Sequence, residues 1–218
     1  MMDKLSIIHS LKELEDSEDI EILNQSRNSI CLYDYQDSKE IMYIFKRSKT
    51  ELSSHIHISR RIPKKYRPNR EKMVQYLLNL PSDMLLTLSD IWFLWSEEDY
   101  DDMVAYYDAD PAYACDLQDE GCLGKMWFEK NAAIVDVQNI FNSALEIEKQ
   151  DIAMGFDGNA DQDTLEQIVI TAIHEIRHIM MDTNIILPED EYPLYLASEF
   201  NVEEFARQWI FEHGWNVF

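Results

Sequence analysis

The segment 163–182 runs DTLEQIVITAIHEIRHIMMD. Leu165, Ile168, Val169, Ala172, Ile176, Ile179 and Met180 gather on one side at about 100° per residue, which predicts a helix. Asp163, followed three residues later by Glu166, resembles a capping box and marks the expected start. On this wheel His174 and His178 project roughly opposite the centre of the apolar stripe, and Glu175 lies on a flank between the two. Ile170 and Met181 keep the histidine side partly apolar. The helix is therefore expected to be buried nearly all round, with two imidazoles facing a different neighbour from the main core.

His174-Glu175-Ile176-Arg177-His178 is an HExxH segment. Residues i and i+4 stand one above the other on a helix, so two imidazoles placed this way can bind one zinc ion. The glutamate beside the first can then act on a metal-bound water. A catalytic zinc site uses three protein ligands and an open position, so a third ligand must come from elsewhere. Asn184 stands six residues after His178, where some zinc enzymes place another histidine, and His213 is the only later histidine. A glutamate on the next helix is the better candidate, Glu203 first and Glu199 second. Buried, hydrogen-bonded histidines would give the same letters, and chance places HExxH in about 1% of chains of this size.

Outward from this segment, a second helix is expected over Leu194–Glu212, with Val202, Phe205, Ala206, Trp209 and Ile210 as its packing stripe. Upstream, Lys125–Phe128 and Ala132–Val137 read as two strands around a turn, followed by a helix over Gln138–Gln150. Glu97–Glu120, acidic and broken by Pro111, reads as a loop-rich connection. Arg70–Leu80 and Ser82–Trp95 look helical, although Ile91–Trp95 also suits a buried strand, since periodicity does not separate the two over short apolar runs. Ser29–Tyr35 and Glu40–Lys46 read as a hairpin, and Ser54–Ser59 alternates as a third strand. Pro63 and Pro68 mark 62–70 as a connector. The expected division is a β-rich N-terminal portion with a basic connector, 1–69, and a second domain, 70–218.

His174, Glu175 and His178, the downstream Glu203-Glu204-Phe205-Ala206-Arg207 and the preceding strand pair resemble the small gluzincin-type zinc metallopeptidases in layout over roughly 70–218. That resemblance implies an α+β, zincin-like domain: an HExxH helix, a small mixed sheet and a following glutamate-bearing helix. It implies one Zn²⁺ ion held by His174, His178 and Glu203, with Glu199 as second choice. Glu175 would be the general base that passes its proton to the leaving amine. Tyr192, Tyr195 and His213 are candidate oxyanion or substrate donors. A peptide or protein substrate would pair with an edge strand, here Ala132, Ala133, Ile134, Val135, Asp136 and Val137.

Composition bounds this reading. The chain has 218 residues, 46% hydrophobic, with no apolar run of the roughly 18 residues that span a bilayer. No signal-peptide pattern opens it, and three cysteines fit free thiols in a reducing cytoplasm. A net charge of −23 argues against direct binding to nucleic acid or anionic membrane. Residues 46–72 nevertheless hold ten Lys/Arg against Glu51 and Glu71. The cluster either answers the acidic body by intramolecular attraction or, at 60–72, docks an acidic partner. The functional alternative to a peptidase is an acidic interaction or inhibitor protein for a basic or nucleic-acid-binding partner, its zinc site structural or vestigial. Other signals are weaker. Asp157–Asp163 lacks the glycine and glutamate of a calcium loop. His55 and His57 read as surface or sheet residues, and Cys115 and Cys122 as thiols.

Overall fold

The alternating segments near the N-terminus form strands, as their β-branched and aromatic content requires. In a computed structural model that describes residues 20–25, 29–35, 38–44, 49–85, 88–118, 121–182 and 198–218, the chain divides into two units, 1–48 and 49–218. The first is an antiparallel sheet of β1 (Ile20–Gln25), β2 (Ser29–Asp34) and β3 (Lys39–Ile44), in that order. β2 and β3 are the expected hairpin. β1 joins it with a register shift between Ile22 and Asn24.

The second unit is α+β. Its α1 (Lys49–Ser54), β4 (Ile56–Ile58), α2 (Arg70–Leu77), β5 (Asp90–Leu94), α3 (Glu97–Tyr106) and α4 (Ala112–Leu117) are followed by β6 (Gly124–Trp127) and β7 (Ala132–Asp136). Then come α5 (Val137–Met154), α6 (Ala160–Asp182) and α7 (Ser198–His213). The sheet order is β4-β5-β7-β6. β4, β5 and β7 are parallel, and β6 runs antiparallel to β7. Every residue of β5 and β7 is buried, as interior strands covered on both faces must be. Alternate side chains divide between two cores. Ile91, Phe93, Ala133 and Val135 pack with the apolar stripe of α6. Trp92, Leu94, Ala132 and Ile134 pack with Tyr100, Met103 and Val104 of α3 and with α4.

Several boundaries differ from the sequence expectation. Only Ile56–Ile58 of the third segment is a strand, and it pairs with β5 rather than with the hairpin. The unit boundary consequently falls at 48/49 instead of 69/70. The basic connector belongs to the larger unit, because Ile62 and Tyr66 are core residues. Several of its cations pair within the chain: Arg61 with Asp99 at 2.6 Å and Asp102 at 3.0 Å, Lys65 with Asp161 at 2.7 Å. Ser82–Trp95 resolves into a short 3₁₀ turn and β5, so the strand alternative for Ile91–Trp95 holds. His57, in β4, and His55, just before it, sit half-buried and donate to the buried Asp90 at 2.8 and 3.0 Å. Burial alone would raise the Asp90 pKa, but these bonds and one from Tyr107 leave it below the ordinary value.

The stretch expected as a loop-rich connection holds two helices, α3 and α4, among its described residues. Tyr100, Met103 and Val104 supply an i, i+3, i+4 stripe toward the sheet, while Glu97, Glu98, Asp101 and Asp102 face solvent. Asp99 is the buried acid of the set. Its Oδ2 accepts from the Trp95 and Ser96 N–H groups at 2.8 and 3.1 Å, and its Oδ1 from Ser59 and Arg61. Asp99→Ala strands those donors and is expected to lower stability by about 3 kcal/mol. A urea-unfolding midpoint displaced accordingly, with an unchanged slope, checks this.

α5 starts where expected, with the Asp136 carboxylate accepting from the Asn139 N–H, and stops at Gly155, whose φ of 84° suits the left-handed cap. α6 begins at Ala160 rather than after Asp163. Asn159 takes the capping role, its side chain accepting from the Gln162 N–H at 3.2 Å, and Asp163 joins the first turn, where acids complement the dipole. Among the described residues no helix is long and apolar enough to cross a membrane.

Candidate active site

Ile168, Val169, Ala172, Ile173, Ile176 and Ile179 anchor α6 in the core at 0% exposure. That fixes the rotation of the helix, and the residues between the apolar positions must then face elsewhere. Thr171, His174, Glu175 and His178 line a cavity of about 440 Å³. Its opposite wall is Cys122–Met126, the loop into β6 and most of that strand, with Glu203 of α7 closing one side.

The two imidazoles meet edge to face, and their Nε2 atoms stand 2.9 Å apart. Two such nitrogens bound to one tetrahedral zinc would be about 3.3 Å apart, from Zn–N distances of about 2.05 Å. A small opening of the pair brings them to that spacing. Glu203 approaches the other side of the first ring: its Oε2 is 3.4 Å from His174 Nδ1, and its Oε1 pairs with Arg207 at 2.6 Å. A carboxylate on the Nδ1 side favours the tautomer whose lone pair is on Nε2, the state a metal ligand needs. The donor set therefore fits zinc at two of three ligand positions. Glu203, expected as the third ligand, stands instead on the Nδ1 side of His174, at a distance longer than an ordinary hydrogen bond. Among the described residues no three His, Cys, Asp or Glu side chains form a ready metal set.

Glu175 is only 7% exposed yet lines the cavity. It faces Gly124: a Cβ built there would lie 2.9 Å from Glu175 Oε1, and closer still to Thr171 Cγ2. The wall that contains Gly124 is held in place. Cys122 Sγ donates to the Gly124 carbonyl at 2.7 Å, Asn139 Nδ2 to the Cys122 carbonyl at 3.0 Å, and the Asp136 N–H to the Leu123 carbonyl at 2.9 Å. β6 is an edge strand whose outer side carries no ladder among the described residues.

The structure thus brings His174, Glu175, His178 and Glu203 together. His213 lies apart from them: its ring stacks on Trp209 at 3.9 Å and its Nδ1 donates to the Trp209 carbonyl on its own helix. Ala132–Val137 is not an edge. β7 pairs with β5 on one side and β6 on the other, and Val137 already belongs to α5. Among the described residues the edge of the sheet that borders the cavity is Gly124–Trp127, β4 being the edge at the other end. Tyr192, Tyr195 and the side chain of Glu199 fall outside the described residues. Gly124, Thr171, Gln167 and Cys122 were not anticipated at the site. Thr171 and Gln167 carried a signal, since they precede His174 by three and seven residues and share its helix face.

Compared with models of known families, with curated proteins and with solved structures, the chain finds no match.

Proposed function

We propose that the chain is a zincin-like, zinc-dependent peptidase acting in the cavity beneath β6. The observation that carries this reading is the convergence of His174 Nε2 and His178 Nε2 at 2.9 Å, with the carboxylate of Glu175 on the same wall. A zinc ion held there supplies a Lewis acid that acidifies water and polarises a carbonyl. His174 and His178 would hold it; either Glu203 would turn away from His174 Nδ1 and Arg207 to supply the remaining carboxylate, or it would stay to fix the tautomer of His174 and Glu199 would supply it. Glu175 accepts the proton of the attacking water and returns it to the departing amine. Its near-complete burial strengthens each electrostatic interaction it makes. The open edge of β6 takes the substrate backbone as an added strand, and the smallness of Gly124 lets that edge lie directly against Glu175.

The competing reading, an acidic interaction protein, draws on the incomplete donor set. Metal analysis with and without His174 separates the two. The wild-type chain, loaded with zinc and dialysed, is expected to keep one ion and to cleave an unstructured protein. His174→Ala is expected to keep neither the ion nor the activity. Equal zinc content in the two proteins would remove His174 from the ligand set, and bound zinc without any cleavage would leave the interaction protein.

A further inference from the structure

Glu203 is a wall shared by the histidine cavity and a neighbouring hollow. Leu123, Gln167 and Glu203 also line a second hollow of about 480 Å³ between α5, α6 and α7. Its floor is apolar. Ile140, Ala144 and Ile170 are buried core residues, and Ile147 stands 49% exposed at the margin. Its rim is acidic. Asp163 and Glu166 come from α6 and Glu203 from α7, while Glu204 stands on the outer shoulder. Arg207 is the only cation among the described residues that line it, and it is paired with Glu203.

We propose that this hollow is a substrate subsite for an apolar side chain flanked by lysine or arginine, so that the chain acts on basic, amphipathic polypeptide segments. The link to cleavage rests on the peptidase reading, whereas the binding preference does not. The apolar surface left open in the hollow, chiefly that of Ile147 at its margin, is covered most favourably by an apolar side chain. Carboxylates around that floor attract flanking cations and repel flanking acids. The chain's net charge of −23 adds a field of the same sign. Because Leu123, Gln167 and Glu203 line both hollows, this seat adjoins the histidine cavity, and a peptide lying along β6 has a neighbouring residue close to it.

The test uses short fluorescent peptides with one leucine between two lysines, or between two glutamates, and the full chain carrying Glu175→Gln so that nothing is turned over. Anisotropy at low salt is expected to show the lysine peptide binding at least about tenfold more tightly than the glutamate peptide. Glu166→Lys, on the half-exposed rim, is expected to abolish that preference, and so is raised salt. Ile147→Lys, at the solvent-exposed margin, is expected to weaken the lysine peptide in the same way. Equal binding of the two peptides, or a preference indifferent to Glu166→Lys, overturns the subsite. If the wild-type zinc-loaded chain cleaves an unstructured protein with no bias toward basic segments, the subsite fails while the peptidase reading stands. If basic peptides bind with the expected preference but are not cleaved, the subsite stands and the peptidase reading fails.

Discussion

Glu175→Gln is expected to lower peptide hydrolysis by about a thousandfold, roughly 4 kcal/mol of barrier, while the zinc content of the protein stays at the wild-type level. Glutamine keeps the shape of the side chain in a place where shape matters: it is 7% exposed and packed against Gly124. What it loses is the ability to accept a proton from water, and nothing else in the described cavity offers a carboxylate so placed. Glu203 is paired with Arg207 and stands on the far side of His174 from the converging nitrogens. Stability should change by less than about 1 kcal/mol, since the swap preserves volume. Initial rates on an unstructured protein, together with metal analysis of the same sample, check both halves. Undiminished hydrolysis would show that a different group handles the proton, and loss of zinc would place Glu175 among the ligands instead.

Most of what could be read from the sequence depends on one helix or one hairpin at a time. The period of Leu165 to Met180 fixes the rotation of α6, and rotation alone puts His174, Glu175 and His178 on a shared face. Glu203 was legible as a neighbour of that face for the same reason, because it lies at the edge of the stripe of α7. Its approach to the Nδ1 side of His174 was not legible, since that depends on how two helices cross and on the competing pull of Arg207. The order of the strands was hidden too. Ala132–Asp136 and Gly124–Trp127 are both short strands, and only β5 arriving from 42 residues upstream makes the first interior and leaves the second as an edge. In α3 five of the first six residues are acids, so composition concealed a stripe of Tyr100, Met103 and Val104. Asn159 displaced Asp163 as the cap because both are competent caps, and packing of the preceding turn decides between them.

Gly124→Ala is expected to cut hydrolysis by about a hundredfold and to lower stability by about 1–3 kcal/mol. Judged on the backbone alone, the substitution should help. Gly124 is not in the left-handed region, so alanine would reduce the entropy of the unfolded chain at no conformational cost. Space forbids it. The added methyl would press on Thr171 Cγ2 and stand 2.9 Å from Glu175 Oε1 and 3.0 Å from its Cγ, in an interior packed too tightly to absorb it. Either β6 retreats from α6 or the Glu175 side chain turns away, and in both cases the base and the substrate edge lose their alignment. Combining the change with Thr171→Ser separates packing from positioning. Serine lacks the Cγ2 methyl that makes the nearest approach, so the double variant should regain most of the lost stability by urea unfolding. The contact with Glu175 persists, so its kcat should remain depressed while its zinc content is normal. Recovery of kcat in step with stability would mean that Gly124 serves only the packing of the helix, and that the base does not depend on the strand beside it.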